Sequence, residues 1–321
     1  MSEVVCGIAI SHAPGMLGWP DDPSEEVRGN VNRAVEDLRD YLAERSPDVL
    51  IAFINDHFDN LFRNLMPIFG VPIADSHSGP AEAYLEMLKL DEVREIPSRP
   101  ELAEELLRGL VARDFDVARM GRIEYGNNLM VPLHSIRPML DIPIVPVFIN
   151  VFTPPVARVP RVYALGQEVR RLLEHRGERI GFIATGGLSH WPPIWTEDSD
   201  PDDPMLQRMK RFQSEGKSVL VEDPQLWSDV GKYEIEMAAK RDQRLVNAEW
   251  DRHFLTLVEQ GATDELMSIT FDSVKENAGH GGVEILNWVA LMGAMNGMPA
   301  EVLAYEAVEE WICGMGFVKY A

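Results

Sequence analysis

The chain has 321 residues, of which 45% are hydrophobic and 26% are charged, as is typical of a globular protein with a sizeable core. Its formal net charge of -22 at pH 7 disfavours binding to nucleic acid or to an anionic membrane surface. The sequence has no apolar run near the roughly 18 residues of a membrane span, no signal-peptide pattern and no clustered cysteines, so we expect a cytoplasmic protein without disulfides or a cysteine metal site.

The first two-thirds of the chain alternates predicted strands and helices. The apolar runs Val4–Ile10 and Asp48–Ile54 predict strands, and the helix between them begins after Ser24 and ends at Pro47. The prolines of a third strand, Ile142–Ile149, predict an irregular edge position. The alternation continues with three more elements: the helices Glu101–Arg113 and Arg161–His175 and the strand Arg179–Thr185.

The last third of the chain has a different pattern, with helical spacing of apolar residues and few predicted strands. Four helices are predicted there: Lys232–Leu245, Asp251–Gln260, Asp264–Ile269 and Gly282–Met295. The acidic stretch Glu197–Pro204 predicts an exposed loop. We therefore expect an α/β fold, a single domain over residues 1–321 with a partly parallel mixed sheet flanked by helices and a helical C-terminal third.

Three histidines follow predicted strands directly. His12 comes after the first strand, His57 after the second and His190 after Arg179–Thr185. Ligand sites of α/β sheets form at the carboxyl ends of strands, so parallel neighbours would bring the three imidazoles into one crevice. A single histidine in such a place is more often structural, but the shared position of three favours a functional site.

A cluster of imidazoles suits a transition metal, and two histidines with one carboxylate form the ligand set of non-haem Fe(II) oxygenases. The spacing alone leaves four candidates for the carboxylate: Asp56, Asp59, Glu124 and Glu249. Asp56, next to His57 on an extended backbone, would point elsewhere and fits a supporting role better. Glu249, at a predicted helix start, is explained equally well by a favourable interaction with the helix dipole.

Several motifs together resemble the class III extradiol ring-cleavage dioxygenases, the family of the protocatechuate dioxygenase β subunit and dihydroxyphenylpropionate dioxygenase. They lie in the segments Ser11–Pro14, Asn55–Phe58, Gly186–His190, Asn247–Phe254 and Glu310–Gly316. Each motif is short, but their order and spacing are specific, and the similarity runs through most of the chain.

The resemblance implies an enzyme with Fe(II) as cofactor, acting on a small aromatic substrate with O2. By position, His12 and His57 correspond to the histidine ligands, Glu249 to the carboxylate ligand and His190 to the acid/base. The family commonly has a second active-site histidine where this chain has Tyr125, within Glu124-Tyr125-Gly126. Because a phenol is rarely charged near neutral pH, an o-aminophenol substrate fits as well as a catechol, and Tyr125 is expected to face it.

Two further residues are candidates for substrate binding. His280 lies in a glycine-rich segment before a helix, where backbone N–H groups can approach a ligand, and Asp56 lies beside a predicted metal ligand. The resemblance also implies a homo-oligomer and leaves open whether a separate small lid subunit covers the site. Two other functions remain open: a non-catalytic scaffold of the same fold, suggested by the change at Tyr125, and a zinc hydrolase with the same ligands.

Overall fold

The computed structural model of the chain describes residues 3–240 and 243–320. Eight strands of the described residues form one sheet: β1 (Glu3–Ile10), β2 (Val49–Ile54), β3 (Phe69–Pro72), β6 (Val117–Met120), β7 (Ile144–Ile149), β8 (Arg179–Thr185), β9 (Glu301–Val308) and β10 (Cys313–Tyr320). A separate two-stranded sheet is formed by β4 (Ser76–Gly79) and β5 (Arg94–Pro97).

The helices of the described residues cover both faces of the large sheet and dominate the region after β8. They are α1 (Gly15–Gly18), α2 (Glu25–Arg45), α3 (Leu85–Leu88), α4 (Pro100–Val111), α5 (Asn127–Ile136), α6 (Val159–Leu173), α7 (Pro204–Glu215), α8 (Val219–Glu222), α9 (Leu226–Lys240), α10 (Ala248–Gln260), α11 (Thr263–Leu266), α12 (Phe271–Ala278) and α13 (Ile285–Ala294). Short 3-10 turns lie at Glu82–Tyr84, Gly281–Glu284 and Glu309–Trp311. None of the described helices is both long and apolar enough to cross a membrane.

The large sheet is mixed, and its strand order is β6-β3-β7-β2-β8-β1-β10-β9. The four central strands β7, β2, β8 and β1 are all parallel to their neighbours within this group. The β10–β9 pair joins β1 antiparallel at one side, and β3 joins β7 antiparallel at the other. The predicted fold class, an α/β domain with a partly parallel mixed sheet, is confirmed.

Alternate side chains of the central strands point into two separate cores, because successive residues of a strand face opposite sides of the sheet. On β2, Val49, Ile51 and Phe53 belong to the larger core, which includes residues of α6 and α13. Leu50, Ala52 and Ile54 belong to the second core, with residues of α2 and α5. Burial on both faces explains why β2 reads as a continuous apolar run.

Three sequence predictions need correction. The strand around Ile144–Ile149 is not an edge strand but lies between β3 and β2. A proline has no N–H to donate to a neighbouring strand. Pro146 is tolerated in β7 because β3 pairs only with Phe148 and Ile149, so Pro146 lies outside that pairing. The C-terminal third is not purely helical, because it contains the hairpin β9–β10. The helix predicted at Lys232–Leu245 begins earlier, at Leu226, and positions 241 and 242 of that prediction lie outside the described residues.

Candidate active site

The three histidines predicted to converge do so at one edge of the sheet. β8 lies between β2 and β1 and is parallel to both, so the carboxyl ends of these strands are adjacent. His12 follows β1, His57 follows β2 and His190 lies on the segment that follows β8. The His12 and His57 ring centroids are 5.1 Å apart, and all three histidines line one cavity.

A carboxylate that the sequence prediction did not identify lies at the centre of this group. Glu284, the last residue of a 3-10 turn, is fully buried. Its Oε1 lies 2.8 Å from His57 Nε2, and its Oε2 lies 3.1 Å from His12 Nε2 and 3.7 Å from His190 Nε2. Glu284 therefore faces all three imidazoles at once.

Hydrogen bonds from neighbouring elements hold the Glu284 carboxylate in place. Gly187 N donates to Oε2 at 2.6 Å, and Asn55 Nδ2 donates to Oε1 at 3.0 Å. Burial by itself raises the pKa of Glu284, but His12 and His57 outweigh it and hold the pKa of that carboxyl well below its usual range. The group is therefore an anion near neutral pH, as a metal ligand must be.

The protonation of His57 is set by Asn127 at the start of α5. His57 Nδ1 lies 2.7 Å from Asn127 Oδ1, and Asn127 Nδ2 donates to the carbonyl of His12 at 3.1 Å. Because that second bond orients the amide, its oxygen faces His57, so Nδ1 carries a proton and Nε2 is the atom that could bind a metal. Burial lowers the pKa of His57, but Glu284 and the other groups nearby raise it to about 9.

His190 presents its Nε2 atom to the cavity. Nδ1 donates to the carbonyl of Leu188 at 2.8 Å, which leaves Nε2 as the free base that faces Glu284. Burial lowers the pKa of His190, although the charge of Glu284 acts in the opposite direction. The side chain is therefore a neutral imidazole with an accessible lone pair, suited to accepting a proton.

His12, His57 and Glu284 form a cluster able to bind a metal ion. One ligand atom from each residue can be chosen so that all lie within 4.8 Å of one another. Two imidazoles and one carboxylate are the donor set of mononuclear Fe(II) oxygenase sites, and they also suit zinc. A buried carboxylate beside three imidazoles fits a divalent cation, which would balance its charge.

A cavity that opens to solvent lies above this cluster. Its empty space, including the open mouth, is about 720 Å³. Apolar side chains form most of its wall, among them Phe152, Pro192, Trp227 and Trp311. The metal-binding cluster thus lies at the polar side of a mainly apolar chamber.

The prediction of Glu249 as the carboxylate ligand is wrong. Glu249 lies in the first turn of α10 with an exposed side chain, outside the cluster of His12, His57 and Glu284. The motif around it has another role, because the buried carboxylate of Asp251 accepts hydrogen bonds from the N–H and the hydroxyl of Ser189. This motif therefore supports the segment that carries His190 instead of binding a metal.

Tyr125 does not line the cavity, contrary to the prediction that it faces the substrate. Its N–H donates to Ser78 O at 2.7 Å and its carbonyl accepts from Ala81 N at 2.8 Å, so its backbone is held on both sides. The ring is fully buried and packs edge-on against His77 at 5.6 Å between centroids. The hydroxyl has no hydrogen-bond partner among the described residues, and burial raises its pKa.

Asp56 and His280, the predicted substrate-binding residues, also do not line the cavity, and each supports a residue or segment beside it. The Asp56 carboxylate accepts from Asn60 N at 3.0 Å and from Leu61 N at 2.9 Å, which closes the turn after His57. His280 Nε2 donates to Pro192 O at 2.8 Å, and burial lowers the pKa of His280 to about 4. Both are corrected to structural roles.

Of the other two carboxylate candidates, Glu124 forms an ion pair with Lys217 at the surface. Asp59 is buried, and burial raises its pKa to about 8. Neither belongs to the cluster that includes Glu284.

The position of Glu284 in the sequence carries a signal of a functional site. Glu284 is the only Asp, Glu, Lys or Arg in residues 277–300, an otherwise apolar and glycine-rich stretch that includes the predicted helix Gly282–Met295. A charged residue is seldom fully buried unless it is paired or binds a metal, so an isolated one within an apolar helix marks a site. Asn127 carried no comparable signal, since amides are common at helix starts.

The chain is similar to known ring-opening enzymes over nearly its whole length. The family model described as "Catalytic LigB subunit of aromatic ring-opening dioxygenase" matches residues 6–316. A relative from Cupriavidus necator, named 2,3-dihydroxyphenylpropionate/2,3-dihydroxicinnamic acid 1,2-dioxygenase, is 30% identical over 315 residues, covering 95% of this chain and 94% of that protein. The protein of the same name from Escherichia coli K12 is 28% identical over 313 residues, covering 96% and 95%. A solved structure, of an uncharacterized protein from Escherichia coli K12, aligns over 99% of this chain and 100% of that one, with a TM-score of 0.47 at 15% identity.

Proposed function

The chain belongs to the family of catalytic LigB subunits of aromatic ring-opening dioxygenases, which makes it an extradiol-type ring-opening enzyme, and we propose that it uses Fe(II) and O2. The substrate we propose is a catechol or an o-aminophenol. One observation carries the proposal: the Glu284 oxygens lie 3.1 and 2.8 Å from the Nε2 atoms of His12 and His57, beside a mainly apolar cavity.

These three residues would hold the metal with neutral imidazoles and one carboxylate. Such a ligand set leaves coordination positions for other molecules, and Fe(II) bound there would supply the electronic link between the ring and O2. The contribution of the chain is to keep the ligands in place. Asn127 orients His57, while Gly187 and Asn55 orient Glu284.

His190 is the proposed acid/base. Its Nε2 is 3.7 Å from Glu284 Oε2, so a hydroxyl bound beside the metal ligands would be within reach of this nitrogen. A neutral imidazole can take the proton of that hydroxyl and return it later in the reaction. The hydrogen bond from Nδ1 to Leu188 O keeps the ring in the orientation that the transfer needs.

The apolar wall gives the ring its place and limits the access of water. Phe152 stacks obliquely near His57, with 5.5 Å between the ring centroids, and Trp227 and Trp311 line other parts of the chamber. Aromatic and apolar walls suit a flat ring, since they contact its faces without competing for its oxygens.

Oxygen consumption by the metal-loaded protein tests this function. The protein would be loaded anaerobically with Fe(II) and then mixed with oxygen and a panel of catechols and o-aminophenols. We expect oxygen uptake matched by a ring-opened product, and its loss in His12→Ala. His253→Ala is the control, because that histidine is exposed on α10 and pairs with Glu265.

Two results would contradict the proposal. One is an absence of oxygen uptake with every ring while Fe(II) is bound. The other is a metal-dependent hydrolysis that proceeds equally with Zn²⁺ and without oxygen, which would favour the hydrolase alternative.

A further inference from the structure

One face of α9 brings a carboxyl group into the cavity. Trp227, Val230 and Glu234 follow one another at intervals of three and four residues, so they share a face of the helix, and all three line the chamber. Glu234 is 8% exposed, and its Oε2 is buried with no hydrogen-bond partner among the described residues. It is not one of the proposed metal ligands.

A buried oxygen without a partner costs free energy that a bound ligand could recover. Among the described residues that line the chamber, none forms a hydrogen bond with that oxygen. Burial raises the pKa of Glu234 to about 8, although the charge of His57 acts in the opposite direction. A ligand group that donates a hydrogen bond would supply the missing contact, and a cationic group would also favour the ionised carboxylate.

The charges of the cavity wall also discriminate between ligands. Among the described residues that line it, none is Lys or Arg. The relatives compared above are named for a dihydroxyphenylpropionate, whose side chain ends in a carboxylate. Binding such an anion usually takes a cation or converging N–H donors, and here the wall offers a carboxyl instead. The formal net charge of -22 adds to the repulsion of an anion.

We propose that Glu234 receives the side chain of the ring substrate, and that this side chain ends in a hydrogen-bond donor, an amine or an alcohol, instead of a carboxylate. This inference rests on the proposed ring-opening function, since it assumes that the ring occupies the cavity beside His12 and His57. It assigns Glu234 a role in choosing the substrate and none in the chemical steps.

The test uses four catechols that carry the same three-carbon side chain and differ only at its end: ammonium, alcohol, carboxylate or methyl. Dissociation constants would be measured anaerobically on the Fe(II)-loaded protein, and kcat/KM would be measured separately by oxygen uptake. We expect the ammonium and alcohol compounds to bind about tenfold to a hundredfold more tightly than the carboxylate compound.

Two variants at position 234 separate charge from hydrogen bonding. Glu234→Gln should reduce the ratio of ammonium to carboxylate affinity at least about tenfold, because an amide keeps the shape but cannot ionise to pair with an ammonium group. Glu234→Leu should bring the alcohol compound to the affinity of the methyl compound. Glu236→Gln is the control, because Glu236 lies on the same helix with an exposed side chain, and it should leave every ratio unchanged.

The binding ratios decide the inference independently of turnover. Equal or tighter binding of the carboxylate compound by the wild-type protein overturns it, as do unchanged ratios in both Glu234 variants or no binding of any of the four compounds. If the catechols bind with the expected ratios and none is cleaved, the proposed ring opening fails while the assignment of Glu234 stands.

Discussion

The buried carboxylate of Asp251 connects α10 to the segment that carries His190, and its loss should be measurable. It accepts hydrogen bonds from Ser189 N, from Ser189 Oγ and from Tyr305 OH, each at 2.7 Å. In Asp251→Ala, these buried or half-buried donors lose their acceptor, at roughly 1–3 kcal/mol each. Even with partial rearrangement, the loss of about 3–6 kcal/mol would consume much of the 5–15 kcal/mol that is typical of domains.

Asp251→Asn is the more informative variant, because it keeps one acceptor for Ser189 N and does not titrate. Burial raises the pKa of Asp251 to about 6, from 3.8. A raised pKa in the folded state contributes stability that is fully present below pH 4 and is lost as the pH rises through 6. This shift corresponds to roughly 3 kcal/mol as an upper limit.

The stability advantage of the wild-type protein over Asp251→Asn should therefore be larger at a pH of about 4.5 than at a pH of about 7.5, by roughly 1–3 kcal/mol. Urea denaturation of both proteins at the two pH values measures this difference. Asp272→Asn, at an exposed position in the first turn of α12, is the matched control and should change stability by less than about 0.5 kcal/mol at either pH. A difference that stays constant or grows with pH would refute the reasoning.

Three further predictions concern the cavity. His190→Gln should keep its metal content and lower kcat by about 10²–10⁴-fold, as measured on an identified substrate, because the proton acceptor is lost. Asn127→Leu removes the oxygen 2.7 Å from His57 Nδ1 and should weaken metal binding about 10–100-fold in a titration of the metal-free protein. Because burial raises the pKa of Glu234 to about 8, the wild-type free energy of unfolding should fall between a pH of about 5 and 8.5, and this fall should be smaller in Glu234→Gln.

The sequence predicted the location of the site well, because it depends on short-range patterns and one topological rule. Each of the three histidines follows a strand that reads as an uninterrupted apolar run. Once the strands are parallel neighbours, their carboxyl ends must meet. The convergence of His12, His57 and His190 required no information on side-chain packing.

The fourth polar group could not be located in this way. Glu284 reaches the cluster from a turn that is 272 positions away from His12 in the chain, and its position depends on how α13 packs on the sheet. The family resemblance implies Glu249 as the carboxylate ligand, but the buried carboxylate of that motif is Asp251. The isolation of Glu284 in an apolar stretch was the available physical signal, and motif spacing outweighed it.

The missed hairpin and the position of Tyr125 have a similar cause. β9 is mostly half-buried and carries Glu301 and Glu306, so its sequence lacks the strong apolar alternation of a strand, and its pairing is set by β10. Whether a phenol at Tyr125 faces the cavity depends on backbone hydrogen bonds to Ser78 and Ala81, which are distant in sequence. Such long-range pairing is not encoded in local periodicity.

The most direct test of the proposed site compares Glu284→Ala with Glu249→Ala in a measurement of iron content and affinity. Both proteins would be purified without metal, loaded anaerobically with Fe(II) and separated from unbound iron before elemental analysis. We expect about one iron per chain in the wild-type protein and in Glu249→Ala, and almost none in Glu284→Ala, because Glu284, unlike Glu249, has oxygens within 3.1 Å of both histidines. Full iron retention in Glu284→Ala, or its loss in a folded Glu249→Ala, would contradict the account.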